Sequence, residues 1–367
     1  MNESVVALDR ALGRDLRRSG SASNARQRPA TPLPRFLQIE PVGQCNLRCR
    51  MCPIELRPES EDHHPPATIA IDVFRRLLDQ FPTVQTLQLQ GLGEPMMHPR
   101  FFDMVEIAVA RGMTVSTNTN LTLLTERRAE RCVTSGLAQI HVSIDGATAA
   151  TYEHIRVRAN FAKVMRNLDR LMAARARLAS RTPEVRWVMV VMRRNLPELA
   201  AVVRLAAQHG VDQVHVQHLC HDFGESSLPA RYAGMRAFVD AETLLAEDPA
   251  RVDAAFGEAR DAAAALGVDL RLPEIRRPDD AAVAAPPPAS GRSRCDWPWS
   301  GAYVSWDGRA MPCCMVSTPD RVHFGNMAHE GVGAIWNSAV FEEFRDRLDS
   351  TTPPEICSSC AVYNGTF

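Results

Sequence analysis

The sequence lacks the features that would assign it to three broad classes of protein. Its 367 residues contain no apolar run of about 18 residues, so we predict no membrane span. Residues 1–30 are polar and rich in arginine, without the apolar core of a secretory signal. The 42 basic residues are balanced by 43 acidic ones, whereas a domain that binds nucleic acid usually has a basic surplus. We therefore expect a cytoplasmic protein that does not bind nucleic acid.

Structural disulfides are also unexpected, although the chain has ten cysteines. A chain without a secretory signal stays in a reducing compartment, where thiols are kept reduced. Metal binding or redox chemistry is the better explanation for so many cysteines. The length favours two or three domains and is sufficient for a sizeable core.

Strand-like and helix-like patterns alternate between residues 36 and 219. The predicted strands are Phe36–Glu40, Val84–Gln90, Met113–Thr117, Gln139–Ile144, Val185–Met192 and Gln213–Leu219. The predicted helices are Ile71–Phe81, Arg100–Arg111, Thr125–Ser135, Ala159–Ala179 and Leu196–His209, with Asp72 as a candidate cap and Gly112 and Gly210 at helix ends. Six such units are too few for a closed eight-stranded barrel. We predict an α/β fold, a partial (β/α)6 barrel of parallel strands or an open parallel sheet, with its chemistry at the carboxyl ends of the strands.

Composition divides the chain into four segments. Residues 1–34 are expected to be a flexible leader, and 35–225 form the α/β domain. Residues 226–293 combine an alanine-rich helix, a possible strand at Val268–Leu272 and a Pro/Ala-rich linker. Residues 294–367 hold five of the ten cysteines, and so short a segment has difficulty making a core unaided. We interpret this last segment as a small α+β cofactor-binding module.

Three cysteines follow the first predicted strand directly. Cys45, Cys49 and Cys52 have the spacing C-x3-C-x2-C. Three thiolates in one loop can hold one face of a [4Fe–4S] cube and leave one iron open to a small molecule. The alternative is a zinc site, which normally needs a fourth ligand; the nearest candidates are His63 and His64.

This loop resembles the signature of the radical S-adenosylmethionine (AdoMet) enzymes, and the resemblance covers roughly residues 36–219. It implies that the open iron chelates AdoMet and that reductive cleavage gives a 5′-deoxyadenosyl radical. An external electron donor such as flavodoxin or ferredoxin is also implied. Met51 stands where the family often has an aromatic residue, and its thioether can still pack on adenine.

The same resemblance implies further AdoMet contacts. Gly93-Glu94-Pro95 is similar to the segment that binds the methionine amino group, although Gly-Glu-Pro alone is a common turn. Ser143 and Asp145 are similar in position to groups that hold the ribose or carboxylate, and a plain turn at Asp145 is the alternative. The remaining candidates, for which helix capping explains the sequence equally well, are Arg193 and Asn195.

A second cysteine set lies near the C-terminus. Cys295 and Cys313 flank a predicted β-hairpin around Asp307-Gly308, and Cys357 and Cys360 form a C-x2-C pair. Four thiolates can hold one metal centre, and zinc is a serious alternative to iron and sulfide here. Cys314 directly follows Cys313, and the other two unassigned cysteines are Cys132 and Cys220.

The second set resembles the SPASM domain and its shorter form, Twitch, which bind auxiliary clusters in many radical AdoMet enzymes. The matching features are Gly308-x4-Cys313, Phe324-Gly325-Asn326, Ile335-Trp336-Asn337 and the final C-x2-C. The glycine spacing favours Cys313 over Cys314 as the ligand. Because the sequence runs only seven residues beyond Cys360, we expect one auxiliary [4Fe–4S] cluster rather than two. Three tryptophans, Trp297, Trp299 and Trp306, are expected to pack around it, or else to line a substrate pocket.

A cluster with four protein ligands has no open iron for substrate, so electron transfer is its simplest role. We therefore predict a radical SAM oxidoreductase that removes two electrons from a small molecule such as a sugar or aminocyclitol. A peptide maturase is the alternative, less favoured because no peptide-binding module is recognised before the barrel. A non-catalytic zinc or iron–sulfur protein is the alternative from another class. The sequence does not select a general base among His141, His215, His218, Asp222 and Glu225.

Overall fold

The computed structural model describes residues 30–57, 67–219, 223–275, 295–358 and 360–364. Most of the predicted leader and of the Pro/Ala-rich linker lies outside these residues, as do His63, His64, Cys220 and Asp222. The strands are β1 Phe36–Ile39, β2 Arg48–Cys49, β3 Thr86–Leu89, β4 Thr114–Thr119, β5 Gln139–Ser143, β6 Arg156–Val157, β7 Glu184–Val191, β8 Gln213–His218, β9 Asp269–Arg271, β10 Gly301–Val304 and β11 Ala310–Met311.

The principal sheet of the described residues has the strand order β11-β10-β1-β3-β4-β5-β7-β8-β9. Every neighbouring pair is parallel except β10 and β11, which form the antiparallel hairpin expected around Gly308. The α/β fold class and the mainly parallel sheet are therefore confirmed. The sheet also joins the two cysteine-bearing regions, because β10 from the C-terminal segment pairs with β1 in register, Phe36 opposite Gly301.

Helices connect the strands. They are α1 Ile71–Asp79, α2 Phe101–Val109, α3 Glu126–Thr134, α4 Ala149–Ile155, α5 Phe161–Arg177, α6 Leu199–Gln208, α7 Ala233–Glu242, α8 Pro249–Leu266, α9 Trp297–Ser300, α10 Met327–Glu330, α11 Val332–Trp336, α12 Ala339–Leu348, α13 Glu355–Ser358 and α14 Ala361–Asn364. Among the described helices, none is both long and apolar enough to cross a membrane.

Local capping explains several of these boundaries. Thr125 and Asn160 cap α3 and α5, because their side chains accept hydrogen bonds from backbone amides in the first turn. Gly112 and Gly210 follow helices with φ of +79° and +68°, a conformation that glycine adopts without strain. The prediction for Asp72 was wrong: Ala70 occupies the cap position of α1, and Asp72 lies within the first turn.

Alternation along the parallel strands separates two faces. In β7, Val185, Trp187, Met189 and Val191 are buried, while the residues between them are half-buried. The buried set belongs to the apolar core that also includes residues of the surrounding helices. The opposite face contributes Arg186, Val188 and Val190 to the lining of an internal cavity. The period of two therefore places the functional residues on the concave side of the sheet.

Candidate functional site

A cavity of about 710 Å³ lies on the concave side of the sheet. All three cysteines of the C-x3-C-x2-C loop line it, together with residues of the carboxyl ends of several strands. The C-terminal segment contributes Trp297, Cys314, Met315, Ser317 and Val362 to the same lining. This position agrees with the general rule that parallel α/β sheets place their chemistry at the carboxyl ends of the strands.

The backbone fixes the cysteine loop by contacts that are remote in sequence. Its two-residue strand β2 pairs with β6, which sets Cys49 opposite Arg156. Gly43 faces the Trp306 ring so closely that an added Cβ would lie 2.1 Å from the indole nitrogen. Gly93 lies against the carbonyl oxygen of Val42, where an added Cβ would be only 1.8 Å away. Both glycines are therefore required for the loop to pack as it does.

The thiols of this loop are surrounded by hydrogen-bond donors. Cys45 Sγ accepts from the Leu47 amide at 3.4 Å and from Asn120 Nδ2 at 3.8 Å. Cys49 Sγ accepts from Arg156 Nη1 at 3.8 Å. Such donors stabilise sulfur that carries negative charge, as it does when bound to iron. Three thiols on one cavity wall with these donors fit an iron–sulfur cluster that has one open iron.

Burial raises the pKa of the Cys45 thiol to about 11 and that of Cys52 to about 12. The thiols are consequently protonated near neutral pH, and binding of iron has to displace their protons. Among the described residues, no three His, Cys, Asp or Glu side chains converge on a site for one metal ion.

Glu94 of the Gly-Glu-Pro segment lines the cavity, but its carboxylate is hydrogen-bonded within the protein. One oxygen accepts from the Met96 amide at 3.1 Å and from Thr119 Oγ1 at 2.7 Å, and the other accepts from the Asn120 amide at 2.8 Å. These bonds hold the segment against the end of β4. Gly93 also lines the cavity, whereas Pro95 is not part of the lining.

Asp145 and Ser143 occupy different environments. Ser143 lines the cavity, as does Met51 of the cysteine loop. Asp145 is fully buried away from the lining and forms an ion pair of 2.7 Å with Arg156, while its other oxygen accepts from the Val190 amide. Because Arg156 also contacts Cys49, Asp145 acts on the cysteine loop through the guanidinium group. Arg156 was missed by the sequence analysis, since only the β2–β6 pairing brings it to the loop.

The structure does not bring Arg193 and Asn195 to the cavity lining. Arg193 is directed toward Glu247, with Nε 2.9 Å from the carboxylate. The buried Asn195 amide donates to the carbonyl oxygens of Asp145 and Val190 and accepts from the Met192 amide. Its contacts tie the end of β5 to the end of β7. The helix-capping alternative was also wrong for this residue, because its side chain makes no capping hydrogen bond to the helical turn that begins at Leu196.

A buried carboxylate, also missed from the sequence, connects both cysteine regions. Glu40 follows β1, and its Oε1 accepts from the amides of Leu92 and Gly93 at 2.9 and 3.3 Å. The same oxygen lies 3.0 Å from Arg57 Nη1, and Arg57 Nη2 donates to the Ser317 carbonyl oxygen at 3.0 Å. One ion pair therefore joins the segment after the three cysteines, the Gly-Glu-Pro segment and the loop after Cys314.

The C-terminal cysteines form a second group. Burial is the largest cause of the raised pKa of the Cys313 thiol. The nearby thiols raise it further; they are Cys314, Cys360, Cys357 and Cys295. The other cysteines of the set C-x17-C…C-x2-C therefore lie near enough to Cys313 to act on it electrostatically. The cysteines that do not line the cavity are Cys295, Cys313, Cys357 and Cys360, whereas Cys314 does line it.

The tryptophans expected near the second set divide between two roles. Trp297 and Trp299 pack against the edge of the apolar core, as Cys295 and Cys313 do, whereas Trp306 packs against Gly43 of the first cysteine loop. Trp297 additionally lines the cavity, and its ring meets Phe36 edge-on with centroids 5.8 Å apart.

The candidate bases are also separated by the fold. His218 is buried, and its Nε2 lies 3.1 Å from the Leu244 amide and 3.2 Å from Thr243 Oγ1. Glu225 forms a buried two-pronged ion pair with Arg321. His141, His215 and His218 all line the cavity, and burial lowers the pKa of His141 and of His215. His215 has no hydrogen-bond partner in the part of the chain that the structure describes, whereas His141 contacts Asn118 and Arg186.

Two family models match the chain in the regions that carry the two cysteine sets. Residues 39–182 match the radical SAM superfamily, and residues 295–361 match SPASM, an iron–sulfur cluster-binding domain. The chain is a radical SAM enzyme with a C-terminal SPASM domain. A radical SAM enzyme of this type uses a [4Fe–4S] cluster with AdoMet and an auxiliary iron–sulfur site in the SPASM domain, so the zinc alternative for the second set is not supported.

Curated relatives of this radical SAM enzyme have varied names. It is 25% identical over 348 residues to the tungsten-containing aldehyde ferredoxin oxidoreductase cofactor-modifying protein of Pyrococcus furiosus, covering 89% of this chain and 87% of the relative. It is 25% identical to the AdoMet-dependent heme synthase of Methanosarcina barkeri, covering 90% and 89%. The PqqA peptide cyclase of Xanthomonas campestris is 24% identical, with 90% and 80% covered.

Solved structures show the same fold. Streptococcus suis SuiB bound to the precursor peptide SuiA has a TM-score of 0.64 at 13% identity, covering 91% of this chain and 71% of SuiB. The enzyme anSMEcpe with bound AdoMet has a TM-score of 0.59 at 17% identity, covering 84% and 82%.

Proposed function

We propose that this radical SAM enzyme oxidises a small molecule by two electrons, with an alcohol carbon of a sugar or aminocyclitol as the expected site. When bound, the first cluster and AdoMet supply a 5′-deoxyadenosyl radical that takes a hydrogen atom, and a single auxiliary cluster supplies an acceptor for the second electron. The observation that carries the proposal is that one cavity wall holds all three loop cysteines and another includes Cys314, next to Cys313 of the second thiol set.

The residues of the chain have separate tasks in this proposal. Cys45, Cys49 and Cys52 hold the first cluster, and Cys295, Cys313, Cys357 and Cys360 hold the auxiliary one. The AdoMet contacts come from Met51, the backbone of Gly93 and the Ser143 side chain, all of which line the cavity. Glu94 positions this surface through the three hydrogen bonds that its carboxylate accepts.

His215 is the proposed general base. Oxidation of an alcohol releases a hydroxyl proton, and a neutral imidazole ring nitrogen can accept it. Burial, and after it the charges of Arg186 and Arg271, lowers the pKa of His215, so the ring is neutral near pH 7. The nitrogens of His141 contact Asn118 and Arg186, and Nε2 of His218 is held by the Leu244 amide.

Peptide modification is the second candidate function. A named peptide cyclase is similar to the chain over 90% of its length, and SuiB shares its fold with a precursor peptide bound. A cavity of about 710 Å³ can accept AdoMet with either a small molecule or one peptide side chain. Both candidates use the same AdoMet cleavage and differ in the substrate.

The test is product analysis with anaerobically reconstituted enzyme, AdoMet and dithionite. Candidate polyols and candidate peptides are incubated separately, and 5′-deoxyadenosine is measured alongside the substrate mass. We expect a polyol to stimulate 5′-deoxyadenosine formation and to lose two hydrogens. Stimulation of 5′-deoxyadenosine formation by peptides alone would favour the second candidate. An unchanged substrate mass with a changed stereocentre would show that the reaction is epimerisation and not oxidation.

A further inference from the structure

A row of polar side chains lies across four strands, and three of its members, Asn118, His141 and Arg186, line the cavity. Asn118, His141, Arg186 and Gln213 are direct register partners on the four adjacent strands β4, β5, β7 and β8. Parallel strands covered on both faces are ordinarily apolar throughout, so this row is a departure from the usual pattern. All four side chains are half-buried.

Hydrogen bonds run continuously along this row. Asn118 Oδ1 accepts from His141 Nδ1 at 2.8 Å, which leaves His141 Nε2 as an acceptor for Arg186 Nη1 at 3.4 Å. Arg186 Nε donates to Gln213 Oε1 at 2.8 Å. The guanidinium group is therefore oriented by two neutral acceptors rather than by a carboxylate.

The state of the histidines follows from the same contacts. Burial, and after it the charges of Arg186 and of His215, lowers the pKa of His141 to about 4, so the ring is neutral near pH 7. The charge of Arg186 also contributes to the lowered pKa of His215, after burial. The row therefore carries one positive charge, located on Arg186.

The charged groups of the cavity leave that positive charge uncompensated. The charged side chains that line it are Glu94, Arg156 and Arg186. Glu94 is occupied by three hydrogen bonds, and Arg156 is paired with Asp145 at 2.7 Å. Among the described residues, Arg186 forms no ion pair, and its Nη2 has no hydrogen-bond partner. A guanidinium group held in this way is suited to a planar oxyanion.

We infer that Arg186 binds an anionic oxygen group of the substrate, a carboxylate or a phosphate, at the floor of the cavity. The inference rests on the proposed function, because it assigns the substrate class of that same cavity. It adds that the small molecule carries an anionic oxygen group in addition to the alcohol carbon that is oxidised. Asn118, His141 and Gln213 orient Arg186 without neutralising it.

The experiment measures binding of three probes to the reconstituted holoenzyme with AdoMet by ligand-observed NMR. Benzoate and phenyl phosphate represent the two anionic groups, and benzamide is a neutral match for benzoate. We expect at least one anion to bind more tightly than benzamide, and Arg186→Gln to weaken that anion about tenfold or more. Arg186→Lys should give an intermediate loss. Arg204→Gln, at an exposed position of α6, should bind like the wild type.

A second variant separates loss of charge from loss of folding. Gln213→Glu keeps the guanidinium group and places a carboxylate at the 2.8 Å contact with its Nε. It should abolish anion binding to the same extent as Arg186→Gln, while iron content and cluster absorbance match the wild type. Anion binding that persists in both variants would overturn the inference.

Other outcomes also decide the question. Equal binding of benzoate, phenyl phosphate and benzamide to the wild type would overturn the inference. It would also be overturned if Arg186→Gln bound AdoMet more weakly but bound both anions with wild-type affinity. Wild-type enzyme that cleaves AdoMet yet binds neither anion would refute the acidic substrate and leave the proposed oxidation intact. Binding of an anion through Arg186 without oxidation of any acidic candidate would support the inference and count against the oxidation.

Discussion

The two thiol sets of the molecule face different surroundings. Cys45, Cys49 and Cys52 all line the cavity, whereas none of Cys295, Cys313, Cys357 and Cys360 does so. Three ligands leave one iron of a cube for a small molecule, and four ligands leave none. We propose that the first region holds the cluster that binds AdoMet and that the second region transfers electrons.

Hydrogen bonding differs between the two regions as well. The first set accepts bonds from Asn120 and Arg156, so its surroundings are polar and partly cationic. In the second set, Cys295 accepts a hydrogen bond from the Trp297 backbone, and Asp296 and Arg347 are the charged groups that act on Cys295 and Cys357. Different charges and hydrogen bonds near a cluster change its reduction potential, which allows two clusters of one type to have separate roles.

The largest expected effect comes from removing the first thiol set. Replacing Cys45, Cys49 and Cys52 by alanine should reduce 5′-deoxyadenosine formation to background, because no cluster remains to bind AdoMet. Chromatography of the nucleoside products measures this. Cys132→Ala is the matched control, since Cys132 is buried in α3 and does not line the cavity. Continued AdoMet cleavage in the triple variant would refute the assignment of the site.

Removing the second set should separate the two regions functionally. Cys357→Ala with Cys360→Ala should lower the iron content from about eight to about four per chain. AdoMet cleavage should persist, while oxidation of substrate should stop because the second electron has no acceptor. Iron analysis and product mass provide the readouts. Cys314→Ala should retain the auxiliary iron; a loss there would make Cys314 the ligand in place of Cys313.

Much of this arrangement could be predicted from local sequence. The alternating patterns correctly predicted six parallel strands, because each depends on residues two to four positions apart. The spacing of Cys45, Cys49 and Cys52 likewise identified a compact loop. Helix α4 was missed, since its seven residues are too few to show a clear helical period.

The contacts around the cysteines could not be predicted in the same way. Arg156 reaches Cys49 across 107 residues, and Glu40 reaches Leu92 across 52. Such pairs depend on strand order and register, which hydrophobic patterns do not specify. One signal was available: polar residues such as His141 and Arg186 recur on one face of strands expected to be covered on both sides. That pattern indicates a polar cavity rather than a packed core.

The ion pair that joins the two regions should have the next largest effect. Glu40→Gln leaves Arg57 without a charged partner in the interior, and breaking a buried pair costs about 3 kcal/mol. The free energy of unfolding should fall by about that amount in a denaturant titration, and AdoMet should bind more weakly because Leu92 and Gly93 lose a charged acceptor. Glu106→Gln, which breaks an exposed pair with Arg131, should cost about 1 kcal/mol or less. Equal effects of the two substitutions would show that Glu40 does not connect the regions.

The smallest expected effects on AdoMet binding are those of Arg193 and Asn195. The sequence suggested AdoMet contacts for both residues, but they lie outside the two cysteine regions. Arg193 is 45% exposed in its pair with Glu247, so Arg193→Ala should change the free energy of unfolding by less than about 1 kcal/mol. Asn195→Ala should cost about 2 kcal/mol, because the carbonyl oxygens of Asp145 and Val190 lose their buried donor. Neither substitution should alter the dissociation constant for AdoMet, measured by equilibrium dialysis with labelled AdoMet. A tenfold weaker affinity in Arg193→Ala would mean that this residue moves to the cavity when AdoMet binds.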